Sequence, residues 1–271
     1  MQGVSFKPPK PSCNHYKEKC IFCEEKNQKM NKEHIFPQWL LKMTSNTKEP
    51  LNWIYGTVSA DKLVVPLCVE CNSLLSVEIE TPMSNVLKRI ENGQGFNDAE
   101  AELIIRWLWK MKGMFYWSHC YDGWEYSSFR MKDHILGEIT KPRSRISIGV
   151  SLASKNEKGY IPIGLCDMTL YSNMFVSGVF SRTSFIVFYT DLIKYIDQEI
   201  WTVHTLSDVP NILNDKKKFY PKTSFSTGVE ACYDTRIKAG KNSTLFKEHE
   251  KKAIKARLKL EELNKTVIPP S

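Results

Sequence analysis

Apolar positions recur at two different periods along this chain, and the change of period divides it. Over residues 74–91, Leu75, Ile79, Met83, Val86, Leu87 and Ile90 return every three or four positions, predicting a helix that Pro82 should kink or split. Gly93-Gln94-Gly95 closes that run, and Asn97 or Asp98 stands where an N-cap belongs. A second helix is predicted over 99–117, with Leu103, Ile104, Trp107, Leu108, Met111 and Phe115 on one apolar stripe. Beyond Tyr121 the texture becomes β-branched and aromatic. Residues 146–152, 160–165, 169–180 and 185–189 read as strands of an antiparallel or mixed sheet, separated by Gly, Ser, Asn and Asp clusters. Residues 246–263 then predict a charged helix with a narrow seam at Ile254, Leu258 and Leu263.

Ahead of the first helix the pattern is more broken. Residues 4–16 are rich in proline and lysine and read as an arm. From 20 to 75 the order is a Cys-rich knuckle, a polar turn, a His-bearing segment and a loop with Trp53, Tyr55 and Gly56. A β-branched run at 63–67 and a second knuckle follow, the latter opening a helix with Asn72 in its first turn. The class expected is α+β. It divides into a flexible basic arm (1–17), a Cys-rich N-terminal module (18–95), a helix with a β-rich region (96–242), and a charged helix and tail (243–271).

A hydrophobic content of 42% and an aromatic content of 11% over 271 residues belong to a packed globular chain. No stretch has signal-peptide character or the roughly 20 apolar residues of a membrane span, so a cytoplasmic, membrane-free protein is expected. The net charge of +8 is uneven: residues 1–50 carry nine basic groups against five acidic, 51–210 fifteen against eighteen, and 211–271 fourteen against seven. Basic ends suit a polyanionic partner.

Eight cysteines in a chain of this length point to metal before disulfides, because four of them form two CxxC pairs, Cys20/Cys23 and Cys68/Cys71. Four thiolates at that spacing make a tetrahedral zinc site. Cys13 or His15 could replace one of them, while Cys120, Cys166 and Cys232 read as small buried residues. A zinc ribbon leaves roughly 15–20 residues between its knuckles. Here residues 24–67 intervene and contain Glu33-His34-Ile35-Phe36-Pro37, so the insertion houses something besides zinc.

CxxC, then EHIFP, then an apolar strand running into CVECN resembles the HNH endonuclease signature on a ββα-metal fold. The resemblance covers about 20–75, and the RWLWKMK segment is more weakly similar to bacterial HNH proteins with a longer C-terminal region. It implies a structural Zn²⁺ and a catalytic divalent ion, Mg²⁺ or Mn²⁺. It implies His34 as general base, Glu33 in place of the usual aspartate ligand to that ion, and Asn72 as the last ligand. A neutral imidazole takes a proton from water near pH 7, and a divalent ion stabilises the charge that develops on phosphate. Two departures stand out. The family's asparagine before the second strand, which orients the histidine, is replaced here by Asp61 with Asn52 behind it, and glutamate at 33 is one methylene longer than aspartate. The implied partner is nucleic acid, DNA in preference to RNA.

Plainer roles stand beside these. His34 could pack against the knuckle, Asn72 could cap a helix, and Glu33 could be a surface carboxylate. Trp39, Trp53 and Tyr55 could stack on bases or cover a small core, and Lys216-Lys217-Lys218 reads as phosphate contact or as a solvated loop. His119, His134, His204 and His249 read as surface or satisfied core positions. Two rival functions follow: a non-catalytic zinc module binding nucleic acid or protein, and a regulated effector, for example in phage defence, whose C-terminal region senses a ligand or partner.

Overall fold

The computed structural model describes residues 19–45, 50–53, 56–119, 131–139, 142–154, 163–165, 175–209 and 216–223. The arm at 1–17, the charged helix at 246–263, Tyr55, His15, His249, Cys13, Cys120, Cys166 and Cys232 lie outside the described residues. In chain order the elements are β1 (Met30–His34), α1 (Gln38–Met43), β2 (Pro50–Trp53), β3 (Gly56–Ser59), β4 (Val64–Cys68), α2 (Val69–Leu75), α3 (Thr81–Glu91), α4 (Asp98–His119), α5 (Met131–Leu136), β5 (Ile146–Leu152), β6 (Ile163–Leu165), β7 (Phe175–Phe180), β8 (Thr183–Tyr189) and β9 (Thr202–Thr205). The fold is α+β, and a cluster of cysteines sits near the N-terminal end of the described chain.

β1 and β4 pair antiparallel, with Met30 opposite Cys68 at one end and His34 opposite Val64 at the other. α2 follows β4 directly and packs against both strands. β2 and β3 form a separate hairpin in the connection, where a loop was expected.

The rod from α2 to α3 shows how Pro82 is accommodated. The helical run is divided ahead of it, one of the two outcomes the sequence predicts. Residues Ser76–Glu80 form a π-helical turn, in which the Thr81 N–H donates to the Ser76 carbonyl five residues back. Proline lacks the N–H an α-helix needs and crowds the carbonyl four residues earlier. The wider turn places Pro82 at the start of α3, where neither problem arises, and turns Ile79 and Glu80 inward.

Asn97 caps α4 in a reciprocal box: its Oδ1 accepts from the Glu100 N–H at 2.9 Å, and its own N–H donates to Glu100 Oε2 at 3.0 Å. α4 is buried over more of its circumference than one stripe. Ile105, Trp109, Lys110 and Lys112 are enclosed along with Ile104, Trp107, Leu108 and Met111, whereas Leu103 and Phe115 are only half-buried. It is a central helix, flanked by α3 and α5 and covered by the sheet through Trp107 and Phe180, whose rings lie 4.7 Å apart.

The sheet is antiparallel throughout, in the order β6-β7-β8-β5-β9. Alternation along β8 sends Phe185 and Val187 to the helices, and Ile186 and Phe188 to a second apolar cluster with Leu192, Ile196, Ile200 and Trp201. Gly149 in β5 makes room for that second cluster: a Cβ there would meet Ile186 Cγ1 at 2.7 Å and Trp201 Cε3 at 3.3 Å. The main core is continuous from Cys20 to Leu206, so residues on both sides of the expected boundary at 95 share one interior. Among the described residues no helix is long and apolar enough to cross a membrane.

Candidate metal centre and the His34 end of the hairpin

Both knuckles are shaped before any ligand is considered. In the first, the Cys20 N–H donates to the Glu25 carbonyl at 3.1 Å and the Glu24 N–H to the Cys20 carbonyl at 2.8 Å, a turn that needs the positive φ of 65° at Glu24. Phe22 is fully buried, and its carbonyl accepts from the Lys132 N–H at 2.9 Å, which docks α5 on the knuckle. In the second, Cys68 is the N-cap of α2 and its Sγ accepts from the Cys71 N–H at 3.4 Å. The Cys68 N–H donates in turn to Cys20 Sγ at 3.3 Å.

The four sulfurs are buried and lie within 4.8 Å of one another, with Cys23 and Cys68 at 4.0 Å. A tetrahedron with Zn–S bonds of ~2.3 Å places its sulfurs about 3.8 Å apart, so the cluster fits with a small contraction. These cysteines could hold a metal ion, and the set is compatible with structural zinc. Burial pushes the Cys23 and Cys71 thiols up, reinforced at Cys71 by its sulfur neighbours. Burial opposes ionisation of Cys20 too, but N–H groups of Cys23, Cys68 and Phe22 outweigh it and hold that thiol down.

At the other end of the hairpin, His34 closes β1 and is half-buried. The Ile35 N–H carries the ladder one step further, to the Leu63 carbonyl at 2.9 Å. Ile35 and Phe36 enter the core and Pro37 opens α1, which accounts for the structural part of EHIFP. Asp61 sits in a 3₁₀ turn (Ala60–Lys62) just before β4, with Oδ1 buried and without a hydrogen-bond partner among the described residues. Asn72 is half-buried in α2.

Glu33 is different. Its neighbour on a strand faces the opposite way, and its Oε1 accepts from Lys110 Nζ at 2.7 Å. Lys110 is fully enclosed and also donates to Glu80 Oε1. Glu80 Oε2 accepts from the indoles of Trp39 at 2.8 Å and Trp107 at 3.3 Å. Burial works against the charge on Lys110, but the Glu80 and Glu33 carboxylates outweigh it and raise the ammonium above its ordinary range. The Glu33 carboxylate is therefore engaged by a lysine, which the resemblance does not imply. Trp39 packs on Trp107 at 5.8 Å, a core position.

Sequence reading missed Lys110 and Glu80. The signal was present: Lys110 continues the 103, 107 spacing of an apolar helix face, and Glu80 falls between Ile79 and Met83 on another. A charge on such a face calls for a buried partner.

A second polar network fastens α4 to the sheet. Asp98 accepts from the Ser207 N–H at 3.0 Å, pairs with His204 Nε2 at 2.7 Å and lies 3.2 Å from Arg143 Nη2. Burial opposes its charge, and these three partners hold its carboxyl low. Burial pushes His204 below its ordinary value against the pull of Asp98. His204 is a satisfied core histidine, and His134 stacks on Trp109 at 4.6 Å.

Compared with protein-family models, curated proteins and solved structures, the chain matches none.

Proposed function

We propose that this chain is a metal-dependent endonuclease of the HNH type, hydrolysing phosphodiester bonds in nucleic acid, DNA before RNA, with zinc at the four cysteines. The observation that carries the reading is the contrast along the β1–β4–α2 unit. A buried thiol cluster closes one end. At the other, His34 is half-buried and Asp61 Oδ1 is buried with no hydrogen-bond partner among the described residues, whereas Lys110 and both carboxylate oxygens of Glu80 are engaged. Zinc held by four thiolates has no open position, so its role is structural.

In this reading His34 removes the proton of the attacking water. Asp61 turns its unpartnered oxygen to the imidazole N–H and orients it, as a carboxylate does for other catalytic histidines. Asn72 offers an amide oxygen to a divalent ion, which when bound supplies charge stabilisation at phosphate. Glu33 would join that ion only by leaving Lys110. Two carboxylates against one ammonium leave the buried triad with a net negative charge, which favours a cation near the His34 end.

Nicking of supercoiled plasmid by the full chain with Mg²⁺ or Mn²⁺, abolished in His34→Ala and in Asn72→Ala while zinc content is unchanged, is the expected result. Nucleic-acid binding with no cleavage under either ion would replace this reading with the non-catalytic zinc module. The Glu33–Lys110 pair also favours a regulated form of the nuclease, because α4 reaches from the C-terminal region to the residue beside His34. Restraint of that kind predicts faster cleavage in Lys110→Met than in the native chain.

A further inference from the structure

The segment 216–222, Lys-Lys-Lys-Phe-Tyr-Pro-Lys, takes no part in either network, yet its backbone is pinned. Phe219 and Phe96 exchange N–H to carbonyl bonds at 2.8 and 2.9 Å. The Tyr220 carbonyl accepts from Thr202 Oγ1 at 2.6 Å, and the Lys222 carbonyl from the Leu152 N–H at 2.9 Å. This register turns Phe219 inward, its ring 4.2 Å from His204 and 5.8 Å from Phe96. Tyr220 is turned outward and is 63% exposed, a large aromatic presented to solvent on a fixed backbone. Lys216, Lys217, Lys218 and Lys222 are exposed, and among the described residues none of them pairs with a carboxylate. Lys217 leans over the Phe219 ring at 5.2 Å, and Lys222 Nζ donates to the Gln198 carbonyl.

We propose that segment 216–222 is a docking strand for single-stranded nucleic acid, with Lys216, Lys217 and Lys218 set against phosphates and Tyr220 as a platform on which a base stacks. Uncompensated lysines grouped along one short exposed segment follow a polyanion and release its counterions. A rigid exposed ring stacks on any unpaired base at little entropic cost, because its backbone is ordered already. The six non-helical residues from Lys217 to Lys222 reach at most about 20 Å, the length of a few nucleotides. A lipid surface fits less well: the second aromatic, Phe219, points into the core, leaving no apolar face to bury in a membrane. A duplex offers phosphates but no free base face for Tyr220.

The proposal rests on nucleic acid being the substrate, but not on His34 cutting it. Binding is therefore measured by fluorescence anisotropy on the full chain without added divalent ion, using labelled oligothymidylate of about 15 nucleotides. Tyr220→Ala should weaken binding about tenfold and Tyr220→Phe should retain it. Lys216→Gln/Lys217→Gln/Lys218→Gln should lower the slope of log affinity against log salt by about 2. Native-like affinity in both the Tyr220→Ala and the triple variant, with native melting curves, overturns the proposal. So does a duplex of equal length bound equally well and equally sensitive to Tyr220→Ala, or anionic vesicles bound in place of the oligonucleotide. Docking with no plasmid nicking would leave this inference standing while the catalytic role of His34 fails.

Discussion

Lys110 is the residue on which the largest single consequence rests. It is fully enclosed between two carboxylates, and removing one partner of a buried ion network leaves the others charged without compensation. Lys110→Met should cost about 3–5 kcal/mol in urea unfolding. Glu33→Gln added to it should cost less than the sum of the two, because the pair acts as a unit. His204 bears on pH. Its folded value lies below its unfolded one, so the unfolded chain takes up the proton first as pH falls. Its contribution is complete above about pH 6.5 and is lost as pH falls through the folded value. Asp98 and Glu102, both held low by their partners, add a second loss below about pH 4. The urea midpoint should therefore drop in two stages on acidification, with His204→Gln removing the first and weakening the second, since Asp98 loses a partner. At this scale the four cysteines were legible in spacing alone. Lys110 and Glu80 were readable as charges on inward faces, but periodicity does not name their partners 30 and 77 positions away.

Among the elements, long runs of one period were readable, as were the short β4 and the helix opened by the second knuckle, but other short elements were not. The run at 74–91 is helical throughout but divided by the π turn, and the helix at 99–117 and the strands at 146–152 and 185–189 appear within a residue or two. α1, α5 and β9 are four to six residues long and carry too few apolar repeats to stand out. The π turn at Ser76–Glu80 depends on a carbonyl clash that hydropathy does not register. Two elements make firm predictions. Gly149→Ala should destabilise the sheet by about 1–3 kcal/mol in thermal melts, since its Cβ would press on the buried Ile186 and Trp201 side chains. The metal cluster should hold one zinc per chain by elemental analysis. Cys68→Ser should lose it and, with it, the protection from hydrogen exchange of the Lys132 N–H, which rests on the first knuckle.

For the whole molecule, the interior that runs from Cys20 to Leu206 sets what can be cut away. A chain ending at residue 95 lacks Lys110 under Glu33 and α4 under α3, and it should show no cooperative melt by circular dichroism. A modular N-terminal unit was suggested by the resemblance, which ends near residue 75. The dependence on α4 could not be read there, because the Glu33–Lys110 contact joins residues 77 positions apart.

The widened turn at Ser76–Glu80 also has a genealogical meaning. A π turn holds one residue more than the α-helix that would join the same two ends, so the rod from α2 to α3 carries what amounts to an absorbed insertion. Deleting the exposed Val77 should thus leave both flanking faces in phase, whereas a deletion inside α4 would swing everything beyond it by about 100°. The surplus residue and Pro82 are bound to each other: once the turn narrows, the proline ring meets the carbonyl it now avoids. The shortened chain should fold well with Pro82→Ala and poorly without it, so that a deletion harmful alone is tolerated once the proline is gone.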